Sequence, residues 1–239
     1  MALYRDEAVV LRTYKLGEAD RIIVLFSRGR GKIRAVAKGV RRTKSRFGSR
    51  LEPGSVVSLQ LFEGRNLDTV TQVEQICAHS NIRSNLENYG RAAIVLETVD
   101  AVAQQGDTNP ALYKLLTGAL AELDRSANAA VVSAFVGRLL ALEGVQPSME
   151  VCVGCGSETD LVAIDLAQGG VLCRGCRQGR PISPGARQAF ASVLAGRVRH
   201  VLDTASPEVC QELEALSAAL IEQHIERRLR SATVIYDQF

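Results

Sequence analysis

Four cysteines constrain this chain more than any other feature. "VCVGCG" at 151–156 and "LCRGC" at 172–176 give the spacing Cys152-x2-Cys155-x17-Cys173-x2-Cys176. Each two-residue spacer closes a tight turn that can aim both its sulfurs at one ion, and four thiolates suit tetrahedral zinc. Gly154, Gly156 and Gly175 suit those turns. The pattern predicts a zinc-ribbon insert over 148–182 with Cys152, Cys155, Cys173 and Cys176 as ligands. Four protein ligands leave no open position, so one structural ion is expected, ordering a segment too small to bury much of a core. An iron–sulfur cluster is the alternative. Haem attachment does not fit, because Gly156 and Arg177 stand where His should follow each pair. Cys77 and Cys210 lie outside the pattern and read as small buried residues.

Ahead of the cysteines the pattern changes twice. From residue 6 to about 76, short runs rich in Val, Ile, Leu and Thr ("EAVVLRTY", "RIIVLFS", "KIRAVAKG", "SVVSLQLF", "LDTVTQVEQI") alternate with turn residues. Val57, Leu59 and Leu61 alternate with Ser58 and Gln60, as in a half-buried strand, whereas "RIIVLF" is apolar throughout and fits a strand covered on both faces. Five strands at this spacing predict a small closed barrel of OB-fold type, with an SH3-like barrel as rival. From about 82 to 145 the period is helical: Leu86, Tyr89, Ala93, Leu96 and Val99, then Leu112, Leu115, Leu116, Ala119, Leu120 and Leu123, then Val132, Phe135, Val136, Leu139 and Leu140. These stripes are expected to pack on one another. Two more helices are announced by Ser183-Pro184 and Ser206-Pro207, the last running from early acids to "ERRLR". The expected fold is multidomain α and β. It comprises an OB-fold at 1–80, a helical domain at 81–147 and 183–239, and the zinc ribbon between them.

Charge is unevenly placed. Residues 1–80 hold fifteen Lys/Arg against eight Asp/Glu, and the remainder fourteen against eighteen. The excess concentrates in "GKIRAVAKGVRRTKSRFGSR" (31–50), where Lys32, Arg34, Lys38, Arg41, Arg42, Lys44, Arg46 and Arg50 meet no acid. Lys32, Arg34 and Lys38 share one parity of a strand, and the others populate a loop. A face of one sign can track a phosphate backbone, each contact adding counterion release. Tyr14, Phe47 and Phe62 are candidates for stacking on bases, with core packing as the alternative for each.

No catalytic constellation is visible. "GRGK" (29–32) fails as a phosphate loop because Phe26 and Ile33 occupy the positions that need Gly and Ser/Thr. His79, His200 and His224 are dispersed, and no nucleophile–base–orienter set is present, so a non-enzyme is expected. Charges throughout "MALYRDEAVVLRTYK" and the lack of an apolar run near ~18 residues predict a cytoplasmic protein with reduced thiols.

Three stretches carry a resemblance: "GEADRI" (17–22), "GKIRAVAKGVRR" (31–42) and "KSRFG" (44–48), followed by helices and CxxC…CxxC. In this order the chain resembles the RecO family of bacterial recombination mediators along essentially its whole length. The resemblance implies binding of single- and double-stranded DNA and ATP-independent strand annealing. It also implies action with RecR, and with RecF and RecA functionally, to replace single-strand-binding protein by RecA in a nucleoid-associated setting. Carried onto this chain, it makes the eight basic residues of 31–50 the DNA-facing candidates. Gly17 to Arg21 match a family turn motif with no evident catalytic role. Two other readings remain: an RNA-binding or ribosome-associated OB-fold protein with a structural zinc, and a purely protein-bridging adaptor.

Overall fold

The computed structural model describes residues 2–43, 45 and 47–231. They form two compact units, residues 1–125 and 126–239.

The first unit opens with a closed barrel of five strands, β1 (Leu3–Leu16), β2 (Asp20–Ser27), β3 (Gly31–Ala37), β4 (Val56–Phe62) and β5 (Asp68–Cys77), in the order β1-β2-β3-β5-β4. Closure comes from β1, which pairs with β4 through residues 3–9 and with β2 through residues 8–16, and from a short parallel pairing of β3 with β5. This is the OB-fold arrangement, which the spacing alone could not separate from an SH3-like barrel. The interior is filled by alternate residues of each strand, among them Val10, Ile23, Leu25, Ile33, Ala35, Val57, Leu59 and Leu61. Strand β2 is covered on both sides: Ile23 and Leu25 point inward, while Val24 and Phe26 are buried on the outer face. Phe26 there meets Tyr113, ring centroids 6.3 Å apart.

Three helices complete this unit: α1 (Ser80–Ser84), α2 (Leu86–Val102) and α3 (Pro110–Arg125). Asn85 and Asn109 accept the backbone N–H groups of Asn88 and Leu112, both at 2.9 Å, so each longer helix starts on a side-chain cap. The α3 stripe is buried as expected at Leu112, Leu116, Ala119, Leu120 and Leu123. The α2 stripe is buried only from its middle onward. Leu86 is 83% and Tyr89 51% exposed, because the first turns of α2 pack through the other face, where Asn88, Arg91 and Ala92 are buried.

The segment after α2 locks the start of β3. Lys32 N–H donates to Gln104 O at 3.3 Å and Gly106 N–H to Lys32 O at 3.4 Å. Gly31 has φ +64°, and a Cβ there would stand 1.9 Å from Asp107 O, so only glycine fits.

In the second unit, α4 (Ala130–Leu142) is the central element, with Val132, Phe135, Val136, Leu139 and Leu140 all buried. It packs against α5 (Pro184–Leu194), α6 (Val198–Thr204) and α7 (Pro207–His224). Ser183 and Ser206 cap α5 and α7 as their sequences announce. Helix α6 carries no such cap signal. Helix α7 ends at His224, and Glu226 has φ +52°, so "ERRLR" lies past the helix rather than at its basic end. Between α4 and α5 sits a three-stranded sheet, β7-β6-β8, of β6 (Leu161–Asp165), β7 (Gly170–Cys173) and β8 (Arg180–Pro181). It buries Ile164, Val171 and Leu172 fully, a larger apolar contribution than the segment's length suggests. No helix among the described residues is long and apolar enough to cross a membrane.

Candidate nucleic-acid interface and metal centre

The basic segment 31–50 is not a free loop. Its strand portion, β3, turns Ile33, Ala35 and Ala37 into the barrel and leaves Arg34 exposed on the outer face, with Lys38 exposed just past the strand. Beyond it, Phe47 and Leu51 insert into the barrel core at 1% and 2% exposure. The chain between is therefore held at both ends, and Arg41, Arg42 and Arg50 are presented outward. The turn residues noted from sequence serve this loop. Asp20 Oδ1 accepts Gly39 N–H at 2.7 Å, Ala19 O accepts Arg41 N–H at 3.0 Å, and Arg41 Nη1 donates to Gly17 O at 3.2 Å. Their role is to fix the β1–β2 turn against the loop. Lys44 and Arg46 lie outside the described residues.

Lys32 sits differently from the rest. Its side chain is 22% exposed; Nζ donates to Asp100 O at 2.7 Å and lies 3.6 Å from Asp100 Oδ1. Asp100, on α2, also takes Arg12 Nε on Oδ2 at 2.8 Å. Arg34, Lys38 and Arg42 make no ion pair among the described residues. Of the three aromatics considered for stacking, Phe47 belongs to the core, whereas Tyr14 and Phe62 are 40% and 41% exposed.

A β-bulge governs which residues join this face. The β1–β2 register shifts between Val10 and Arg12, with Leu11 as the extra residue. Unbroken alternation from inward-facing Val10 would send Arg12 and Tyr14 into the barrel. The inserted residue reverses their parity, so Arg12 stands opposite Val24 and Tyr14 opposite Ile22, on the outer face. Arg34 pairs with Val24 from the other side. Sequence reasoning missed Arg12, because a single-residue register change leaves no mark in a hydrophobic pattern.

In the second unit, the four Sγ atoms of Cys152, Cys155, Cys173 and Cys176 lie within 4.8 Å of one another, and those of Cys155 and Cys173 are 3.7 Å apart. Bonds of about 2.3 Å to a tetrahedral zinc set sulfurs roughly 3.8 Å apart, so the cluster has the size to hold a metal ion and is consistent with zinc. Cys173 N–H donates to Cys152 Sγ at 3.3 Å. That bond, with further backbone donors, holds the Cys152 thiol down at about 6, while the hydrogen bonds that the Cys176 thiol donates to Cys155 and Cys173 raise Cys176. Crowding of this kind favours the Cys152 thiolate at the expense of Cys176, and a cation relieves it. Of the two remaining cysteines, Cys210 is buried and Cys77 only half-buried.

The chain is thus of the class that joins an OB-fold barrel carrying exposed basic side chains to a helical unit with a four-thiol module. Comparison narrows the class. Residues 1–78 match the profile of the "Recombination protein O N terminal" family and residues 83–233 that of its C-terminal counterpart. Curated proteins named "DNA repair protein RecO" are 43% identical in a Nocardioides species and 44% in Bifidobacterium longum, each over 98% of this chain and 99% of the relative. One from Frankia casuarinae is 41% identical over 97% of both chains. The chain belongs to the RecO family.

Proposed function

We propose that this protein binds single- and double-stranded DNA through the barrel's cationic rim and anneals complementary strands without ATP. In that reading it works with RecR, and functionally with RecF and RecA, to replace single-strand-binding protein by RecA during recombinational repair in the cytoplasm. The observation that carries the reading is the rim itself. Arg34, Lys38, Arg41, Arg42 and Arg50 are exposed on a pinned segment that has no acidic residue between 31 and 50. A surface of one sign lowers the repulsion between two phosphate backbones while leaving base edges free to pair, and this requires no reaction chemistry. The metal centre, filled by one structural zinc, stabilises the second unit and takes no part in catalysis; the protein is not an enzyme. Lys44 and Arg46 extend the rim by their sequence position, and Lys32 supports it from beneath.

The test is oligonucleotide affinity measured across salt, with annealing followed in the absence of ATP. Steeply salt-dependent binding and annealing are expected. Equal or tighter binding of matched RNA would favour the ribosome-associated reading, and absence of binding in dilute buffer would discard both.

A further inference from the structure

The four thiols of the second unit are not equivalent. Cys152 is 2% exposed and anchored three times over. Its N–H donates to Ser157 O at 2.8 Å, its carbonyl accepts Gly156 N–H at 2.8 Å, and its Sγ accepts Cys173 N–H at 3.3 Å. Cys173 and Cys176 are half-buried, and Gly154 packs on Cys176, where an added Cβ would stand 3.4 Å from its Sγ. Cys155 alone of the four is exposed. Its Sγ lies 3.7 Å from that of Cys173, which is contact distance for two sulfurs. The two belong to different CxxC turns, and the β6–β7 hairpin lies between them in sequence. That hairpin buries Ile164, Val171 and Leu172. An exposed thiol in contact with a second one is the arrangement of an oxidation-sensitive pair.

We propose that Cys155 and Cys173 are a site of oxidation by peroxide, and that their disulfide replaces the metal ion as the clasp of this module. The inference rests on the zinc reading above and adds an oxidised state to it. A coordinated thiol is held as thiolate, the form that reacts with peroxide. Cys155 Sγ attacks one oxygen of hydrogen peroxide; the O–O bond breaks, hydroxide leaves, and the sulfur becomes a sulfenic acid. Cys173 Sγ then attacks that sulfur, the S–S bond forms, and a second hydroxide leaves. The two thiolates have given up two electrons, and one peroxide has become two hydroxide ions. A bond of about 2.05 Å requires the sulfurs to close by less than roughly 2 Å. Cys155 sits between Gly154 and Gly156, where the turn can yield. Cys152 and Cys176 remain as thiols, too few to hold a zinc ion that takes four ligands. The new bond still ties the first turn to the end of β7, so the hairpin stays closed without metal.

Zinc released from the full chain by hydrogen peroxide is read with a chromophoric chelator, and the bond is mapped by mass spectrometry after alkylation of free thiols. Trypsin cuts after Arg174 and a glutamate-specific protease after Glu158, so Cys173, Cys176 and the Cys152–Cys155 turn fall on separate peptides. Fragmentation of the last of these tells Cys152 from Cys155. The expected result is loss of the bound zinc, a link from Cys155 to Cys173, and alkylation of Cys152 and Cys176. Proteolysis within 148–182 should stay slow in the oxidised protein and become fast when metal is stripped under reducing conditions. Reductant with added zinc should restore the starting state. Zinc retained under peroxide, a bond within either CxxC pair, or oxidised protein cut as fast as the stripped form overturns the clasp and leaves the zinc reading standing. Protein that holds no metal before any oxidant is added takes both down.

Discussion

Arg12 Nε lies 2.8 Å from Asp100 Oδ2, tying the outer face of β1 to helix α2 across eighty-eight residues of chain. Asp100 is 7% exposed, and its backbone carbonyl also accepts Lys32 Nζ. A carboxylate shared in this way supports two cations that would otherwise crowd one another. Asp100→Ala leaves Lys32 largely buried with no counter-charge, and a loss of about 3 kcal/mol is expected. Urea unfolding monitored by circular dichroism checks this; a midpoint unchanged from wild type would mean the pair carries no stability.

The rim makes a separable prediction. Arg41→Glu with Arg42→Glu should weaken DNA binding, and the slope of log affinity against log salt should flatten by about two if each contacts one phosphate. Folding should be unaffected, because both side chains are exposed and surface substitutions seldom matter to stability. Filter binding at several salt concentrations reads the slope, and an unaltered slope would remove these two residues from the interface.

At the metal centre, Cys152→Ser should abolish stoichiometric zinc and loosen the β6–β7–β8 sheet. Elemental analysis together with limited proteolysis is the measurement. Cleavage is expected within 148–182, with α4 resistant because its apolar residues from Ala130 to Leu140 are buried all round. A wild-type protein that purifies without metal would refute this prediction.

Gly31→Ala should destabilise the first unit by about 2 kcal/mol or more, through both the positive φ and the clash with Asp107 O. Gly118, exposed on α3 with open space around its Cα, is the control. Gly118→Ala should be neutral or slightly stabilising, and equal melting temperatures for the two variants would contradict the packing argument.

Alkaline pH offers a further check. Burial, then the hydrogen bond to Asp68, pushes the Tyr4 hydroxyl well above the usual tyrosine value of about 10. Tyr113 is pushed up by burial to about 12. A folded-state value above the unfolded one means the contribution is fully present below about pH 10 and is lost as pH rises from there. Tyr4→Phe should therefore flatten, without abolishing, the fall in stability between pH 10 and 12. Parallel curves for the two proteins would show that Tyr4 ionises freely.

What could be read from sequence follows periodicity. The strands of the barrel, the α3 and α4 stripes and the two Ser-Pro caps are local signals, and each reappears in the structure. The four-cysteine spacing was legible because a metal site is fixed by a few residues close in sequence. Other features were not, the register change that brings Arg12 to the outer face among them. Exposure of Leu86 and Tyr89 depends on what lies opposite the first turn of α2, which no single stripe encodes. The burial of Phe47 inside a basic loop is a tertiary anchor in a locally polar context. The meeting of Lys32 with Asp100 joins residues sixty-eight apart, so a lysine that reads as surface charge is instead held beneath it.

The extra residue at Leu11 has a bearing on how this face can change. Because it sets the phase of everything after it in β1, trimming the strand by that one amino acid would swap lining for lumen. A guanidinium and a phenol would be driven into hydrocarbon, and Thr13 would face the solvent. Substitutions along this outer face can thus be sampled one at a time, whereas a frame change there turns over the whole remainder of the strand. Lengthening or shortening is left to the turns.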